Sequence, residues 1–225
     1  MRASTLTRSI IGACLVLALV VMHFAPDNVG VSYASVDGIS TYRADSDLVS
    51  LLLSPMLVVL YIWVLRLPAV EGANFVTAGL WRRFWSFLVD LLFAMLIAIP
   101  WAGLIALVIE AARTGHFVWS VQRQPALDGD GWVAFGTVLP SMIWFLMYFV
   151  MPQRLLRASP GSVLLGIQVR YDTGRPSLRR AIGRTMLSFV ALAGCYISAP
   201  MALANPEKRM WQDKAVDSRV VQWTD

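Results

Sequence analysis

Charged residues are scarce in this sequence: only 15% of its 225 residues are Asp, Glu, Lys or Arg, whereas 57% are hydrophobic. Soluble domains usually contain about 25% charged and about 45–50% apolar residues. This composition argues against a soluble globular domain. The hydrophobic residues also fall in blocks of about 18 or more, the length that a helix needs to cross about 30 Å of hydrocarbon. The chain is therefore predicted to be an integral membrane protein.

Cysteine and histidine are also rare, with two of each. Cys14 and Cys195 lie inside apolar blocks without a CxxC motif, and His23 and His116 are far apart. Neither a disulfide framework nor a zinc site is therefore predicted. The sequence shows no Ser/His/Asp arrangement and no phosphate-binding glycine loop. We expect a protein that is not an enzyme and that has no cofactor and no catalytic metal.

Five apolar blocks divide the chain, and they cover residues 9–24, 48–65, 82–109, 132–151 and 185–204. The first resembles a signal peptide, but no small-x-small cleavage site follows it, so we expect an uncleaved span. Pro55 and Pro100 lie inside the second and third blocks, where proline removes a backbone hydrogen bond and kinks a helix. We predict an all-α membrane protein, a bundle of about five transmembrane or re-entrant helices.

The loops between the blocks alternate in charge. Segments 26–47 and 110–131 are net acidic, whereas 66–82 and 152–184 are net basic. Because Lys and Arg hold loops in the cytoplasm, we expect the two basic loops and the N-terminus to be cytoplasmic in a multi-pass protein of a bacterial-type inner membrane. Nearly all of the basic excess behind the net charge of +5 lies in the two basic loops, so nucleic acid is not expected as a partner.

The 152–184 loop contains seven arginines and only one acid, Asp172. Topology alone would account for this bias, but a basic juxtamembrane loop also attracts anionic lipid or an acidic partner. Four arginines are candidates for such contacts with the bilayer: Arg154, Arg157, Arg179 and Arg180.

Two stretches have the pattern of short β-strands, at 163–171 and 218–223. We expect them to pair, because pairing satisfies backbone groups that neither strand satisfies alone. Pairing requires both stretches on one side of the membrane. The last apolar block, broken by Gly194 and Pro200, either crosses fully or re-enters. We favour re-entry, which leaves the tail in the cytoplasm.

Asp90 is a carboxylate inside the third apolar block, where an ionised acid costs about 2.5–3.5 kcal/mol. Arg83 lies seven residues earlier, on nearly the same helix face, with Ser86 between them. We expect Asp90 to face protein and to be matched by a guanidinium. Its candidate partners are Arg83, Arg180 and Arg184. Such a pair is either a structural lock between helices or an ion-linked carboxylate.

Three stretches carry a resemblance to the RDD family of membrane proteins, whose name refers to one arginine and two aspartates. The stretch RRFWSFLVD at 82–90 resembles the family pattern R-R-F-x-x-x-x-x-D and places Arg83 and Asp90 on the first two signature positions. The stretch SPGSVLLGIQV at 159–169 is similar to T-x-G-K-x-L-L-G-I-R-V. It retains Gly161 and Gly166, with Ser162 where lysine is usual.

The C-terminal part continues the resemblance. GRPSLRRAIGR at 174–184 places Arg184 on a family arginine, and QDKAVDSRVV at 212–221 resembles H-D-K-x-x-G-T-x-V-V. Asp213 takes the third signature position with Lys214 beside it, and Gln212 stands where histidine is usual. The resemblance implies a compact helical bundle in a membrane and a shared set of signature and supporting residues: Arg83, Asp90, Asp213, Arg184, Lys214, Gly161 and Gly166.

The resemblance starts near residue 79, which suggests two parts. Residues 1–72 are predicted to be a two-span extension with an external loop at 26–47, and residues 73–225 to be an RDD-like membrane domain. The resemblance implies a transport or transport-associated role, linked to an ion or a proton through Asp90. The alternative is a non-catalytic scaffold or an assembly or regulatory subunit of a larger membrane complex. Five blocks are few for a monomeric carrier, so a homo-oligomer or a membrane protein partner is possible.

Overall fold

The fold comes from a computed structural model of the chain, which describes residues 5–24, 29–37, 39–67, 75–172, 174, 176–193 and 210–223. The described helices are α1 (Thr5–Phe24), α2 (Leu48–Arg66), α3 (Leu80–Thr114), α4 (Asp130–Arg154), α5 (Pro160–Leu165), α6 (Leu178–Ala193) and α7 (Trp211–Ala215). The described strands are β1 (Gly30–Val36), β2 (Ile39–Asp45), β3 (Phe75–Thr77), β4 (Ser120–Arg123), β5 (Ile167–Tyr171) and β6 (Ser218–Trp223). The protein is mostly helical, as expected.

Three of the described helices, α2, α3 and α4, are long and apolar enough to cross a membrane. They contain the second, third and fourth predicted blocks, and each extends beyond the predicted bounds. The described apolar part of α1, Thr5–Val20, is shorter, and residues 194–204 of the last block lie outside the described residues. The count of about five membrane helices therefore stays a prediction. Helices α2 and α3 continue through Pro55 and Pro100.

Residue contacts divide the chain into two compact units. The first unit comprises residues 1–13, 60–92 and 146–225, and the second comprises residues 14–59 and 93–145. The predicted boundary at residue 72 was based on the family resemblance and not on contacts between residues. It therefore stays a prediction.

A three-stranded antiparallel sheet, in the order β1-β2-β4, belongs to the second unit. Strands β1 and β2 form a hairpin within segment 26–47, in which Val36 pairs with Ile39. Strand β4 adds to β2 with Tyr42 opposite Arg123. Since β4 lies within 110–131, the two loops predicted to be external form one sheet.

The first unit contains the second sheet, in the order β3-β6-β5. Strand β6 pairs antiparallel with β5, with Val169 opposite Val220, which confirms the expected pairing. Strand β3 pairs with the other edge of β6. This sheet therefore joins the two basic loops and the segment after the last apolar block.

The expected strand at 163–171 is wrong in its first part, because residues up to Leu165 belong to helix α5. Ser159 caps this helix by accepting from the Ser162 backbone N–H, and Pro160 occupies its first turn, where a missing N–H costs nothing. Gly166 then takes a left-handed conformation with φ of 66°, which ends a helix readily because glycine has no Cβ. The strand begins only at Ile167.

Candidate functional site

Gly161 allows helix α5 to contact helix α3 directly within the first unit. A Cβ atom at residue 161 would overlap the carbonyl oxygen of Ser86 and would lie 2.9 Å from Cγ of Asp90. Glycine is required here by this close approach. The contact brings the backbone N–H groups and hydroxyls at the start of α5 against the Asp90 carboxylate.

Asp90 is only 4% exposed and is held by three neutral donors. The Tyr148 hydroxyl donates to Oδ1 at 3.0 Å, the Gly161 backbone N–H donates to Oδ1 at 2.9 Å, and the Ser159 hydroxyl donates to Oδ2 at 2.5 Å. Both carboxylate oxygens thus have a partner. The expectation that Asp90 faces protein is confirmed.

A chain of serine hydroxyls leads away from Asp90. Ser159 Oγ lies 2.8 Å from Ser162 Oγ, and Ser162 Oγ lies 3.3 Å from Ser86 Oγ. The Ser159 hydroxyl is placed to donate either to Asp90 Oδ2 or to Ser162 Oγ, and either hydroxyl of the Ser162–Ser86 pair can be the donor. The three hydroxyls therefore form a hydrogen-bonded chain that ends on the carboxylate.

Asp213 has a different environment, in which two arginines share one carboxylate. Arg83 Nη1 lies 2.9 Å from Oδ2, and Arg184 Nη2 lies 2.8 Å from Oδ1. All three side chains are buried, and Asp213 is fully enclosed. With two positive charges and one negative charge, this cluster has a formal charge of +1.

The prediction that a guanidinium pairs with Asp90 is wrong for the part of the chain that the structure describes. Its arginines form no ion pair with Asp90 there; Arg83 and Arg184 bind Asp213 instead. Side chains on a helix point towards its N-terminus, so Arg83 extends away from Asp90, which lies further along α3. The Arg83 guanidinium also donates to the carbonyls of Ala78 at 3.0 Å and Val220 at 3.3 Å.

A second polar group beside Asp213 was not anticipated from the sequence. The Tyr171 hydroxyl donates to Gln153 Oε1 at 2.8 Å, and Gln153 Nε2 donates to Thr185 Oγ1 at 3.0 Å. Burial raises the pKa of the Tyr171 hydroxyl, so it stays a donor. Tyr148, Ser159 and Gln153 lie in apolar or loop stretches where periodicity gives no signal for a polar partner.

One cavity of about 320 Å³ in the first unit is lined by both carboxylates and by some of their partners. Arg83, Arg184 and Asp213 form part of its wall, as do Asp90 and the three serines of the hydroxyl chain. Most of the remaining wall is apolar. The cavity thus combines an aromatic and aliphatic surface with two separate charged groups, which is the character of a ligand pocket.

The sequence model of the RDD family matches residues 77–217, and this range includes Arg83, Asp90 and Asp213. The chain belongs to the RDD family. No curated protein and no solved structure shows a significant match to it.

In this RDD protein the signature residues form two groups rather than one. Arg83 and Asp213 meet in the ion cluster with Arg184, whereas Asp90 belongs to the hydroxyl group with Gly161. Gly166 acts locally by ending α5. Lys214 is exposed on α7 and does not line the cavity.

The four candidate lipid-binding arginines of this RDD protein also separate. Arg157 lines the cavity and donates to the carbonyl of Leu67 at 2.7 Å. Arg154 donates to the carbonyl of Pro176 at 2.8 Å. Arg179 and Arg180 are exposed on α6. Only Arg157 therefore combines a charge with access to the cavity.

Proposed function

We propose that this RDD protein is a multi-pass inner-membrane protein whose N-terminus and basic loops are cytoplasmic, and that it is not an enzyme. Its charge alternation supports this topology, since basic loops remain on the cytoplasmic side. Strand pairing offers independent support: β2 joins the two acidic loops to each other, and β6 joins the two basic loops. Each sheet combines only loops that topology assigns to one side.

We infer that the protein acts in ion-linked or proton-linked transport, with Asp90 as the group that changes its charge state. One observation carries this proposal: Asp90 is buried beside a cavity and, among the residues that the structure describes, receives only neutral donors. A buried carboxylate without a cationic side chain is neutralised by a proton or by a bound cation. The carboxylate is therefore able to exchange either with the cavity.

Asp213 is less suited to that role. Its carboxylate forms ion pairs with two buried guanidiniums, and loss of these ion pairs would leave two buried positive charges without a counter-charge. We assign Asp213 to the permanent framework of the site. The exchanging group and the framework group then differ by their partners, although both are buried aspartates.

The test is ion flux in proteoliposomes. Purified protein is reconstituted with a trapped pH-sensitive dye, and Na⁺, Li⁺ or K⁺ gradients are applied. Asp90→Asn preserves the shape of the side chain but removes the exchangeable charge, so flux is expected to fall to the level of empty liposomes. Asp128→Asn, at an exposed position, is the matched control and retains flux. Wild-type flux in the Asp90→Asn protein would refute the assignment.

The second candidate function, a scaffold or assembly subunit, is favoured by the external hairpin. Val36 is 66% exposed and Ile39 is 50% exposed at its tip, and β1 is an edge strand of the sheet. Apolar tips of this kind favour contact with another protein. If this function is the correct one, a protein copurifies at fixed stoichiometry and is lost in a Val36→Asp, Ile39→Asp variant. A protein that purifies alone under mild conditions would exclude this candidate.

A further inference from the structure

The cavity in the first unit has an excess of arginine over carboxylate. Its wall contains three arginines, Arg83, Arg157 and Arg184, and two aspartates, Asp90 and Asp213. The formal charge is therefore +1 with both aspartates ionised and +2 once Asp90 has taken up a proton. An anion in the cavity would balance this charge.

Arg157 is the arginine that carries this excess. Arg83 and Arg184 are both bound to Asp213, whereas Arg157 is bound to a neutral carbonyl, that of Leu67. Among the residues that the structure describes, no carboxylate forms an ion pair with Arg157. A guanidinium has five N–H donors in a fork that suits phosphate or carboxylate, so Arg157 retains donors for an anionic ligand.

The cavity also reaches the surface of the first unit along an aromatic edge. Trp81 and Phe84 line the cavity, yet they are 70% and 40% exposed. They lie in the first two turns of α3 and stack on each other with ring centroids 5.6 Å apart. Aromatic residues at the end of a membrane helix occupy the level of the lipid headgroups.

Arg157 lies at the same level by its position in the chain. It follows the last residue of α4, Arg154, by three residues, and it belongs to the strongly basic loop. An amphiphile that entered past Trp81 and Phe84 would therefore keep its chain on the aromatic wall and present its anionic end to Arg157. A volume of about 320 Å³ is near the lower end of ligand pockets, which span about 300–1,000 Å³, and it suits a headgroup rather than a whole lipid.

We propose that this cavity binds the anionic phosphodiester headgroup of a membrane phospholipid, with Arg157 as the residue that recognises the phosphate. The cavity has an excess of arginine in either charge state of Asp90, so lipid binding does not require ion-linked transport to be correct. It also differs from general attraction of lipid by a basic loop, because only one of the four candidate arginines takes part.

The experiment is native mass spectrometry of the full chain in a neutral maltoside detergent, titrated with phosphatidylglycerol. One retained phosphatidylglycerol per chain is expected, whereas phosphatidylcholine of the same chain length, whose headgroup has no net charge, is retained at least about tenfold more weakly. Arg157→Gln is expected to weaken retention by about 10-fold to 100-fold, because hydrogen bonds to charged groups contribute about 1.5–3 kcal/mol and about 1.4 kcal/mol is tenfold.

Two further variants separate recognition from bulk charge and from misfolding. Arg179→Gln removes an equal charge from the same basic loop but outside the cavity, and it is expected to change retention less than about twofold. Arg157→Lys keeps the charge but loses the forked donors, so it is expected to retain the lipid more strongly than Arg157→Gln and less strongly than the wild type. Asp90→Asn removes a negative charge from the cavity wall, so it is expected to hold the lipid at least as strongly as the wild type while it loses ion flux, and the two proposals fail independently.

Three results would overturn the proposal. The first is an equal loss of retention in Arg179→Gln and Arg157→Gln, which would indicate nonspecific surface attraction. The second is equal retention of phosphatidylcholine and phosphatidylglycerol. The third is displacement of phosphatidylglycerol by inorganic phosphate at equal concentration, which would indicate that the cavity takes a free anion rather than a lipid.

Discussion

Replacing Asp213 with asparagine tests the assignment of this residue to the permanent framework. The change keeps the size of the side chain but leaves Arg83 and Arg184 buried without a carboxylate. Removing one partner of a buried ion pair costs about 3–5 kcal/mol. For a chain of this length, about 1 kcal/mol corresponds to about 2–4 °C, so Tm is expected to fall by roughly 6–20 °C.

The fall in Tm of Asp213→Asn is compared with that of two other substitutions. Arg184→Gln leaves Arg83 and Asp213 as an ion pair with no net charge, so it is expected to lower Tm less than Asp213→Asn does. Asp90→Asn replaces a buried aspartate whose three donors in the described part of the chain are neutral. Since neutral hydrogen bonds contribute about 0.5–1.5 kcal/mol each, and removing a buried charge offsets part of that loss, this variant is expected to change Tm least.

The assay is heating in mild detergent followed by size-exclusion chromatography with fluorescence detection, which gives an apparent Tm for each variant. The expected order of destabilisation is Asp213→Asn, then Arg184→Gln, then Asp90→Asn. If Asp213→Asn lowers the apparent Tm no more than Asp90→Asn does, the assignment of Asp213 to the framework is refuted. The two guanidiniums would then tolerate the loss of their shared carboxylate.

The remaining predictions concern packing and topology. Gly161→Ala is expected to lower the free energy of unfolding by about 1–3 kcal/mol through overpacking. Gly136 has open space around it, so Gly136→Ala should raise the free energy of unfolding by about 0.5–1 kcal/mol in a helix. Thermal unfolding of the two variants measures this difference. Tyr42→Phe removes a buried hydroxyl that has no partner among the described residues, so stability should rise by about 1–3 kcal/mol, and a lower Tm would contradict this. In a cysteine-free background, an impermeant maleimide should label Ser35→Cys in intact cells but Asp217→Cys only after permeabilisation; the reverse pattern would contradict the topology.

The sequence was most informative about elements with long apolar runs or clear strand pattern. Helices α2, α3 and α4 lie where hydropathy placed them, and β6 has the predicted bounds, 218–223. Helix α5 was missed because the run VLL before Gly166 is too short for periodicity to distinguish helix from strand. The Ser159-Pro160 pair is a readable helix start, and it would have corrected the strand.

The candidate site was predicted less well because its bonds join residues that are far apart in sequence. Arg83 and Asp213 are separated by 130 positions, and no periodicity within a helix predicts such a pair. Spacing on α3 favoured Arg83 as the partner of Asp90, yet the direction of helical side chains takes the guanidinium the other way. The donors to Asp90 come from α4 and from the start of α5, which only the tertiary fold brings together.

The separation of 130 residues between Arg83 and Asp213 has a consequence for biogenesis. At about 5–20 residues per second, translation adds Asp213 roughly 7–26 s after Arg83, and Arg184 also precedes its acid. Arg83 and Arg184 are therefore synthesised before their shared carboxylate. Until Asp213 is added, both guanidiniums must stay hydrated or bound to insertion machinery, and they become buried only afterwards. The ion cluster of this membrane domain can therefore form only after residue 213 has been translated. We expect quality control to degrade stalled chains that end before residue 213, because their two arginines lack a carboxylate.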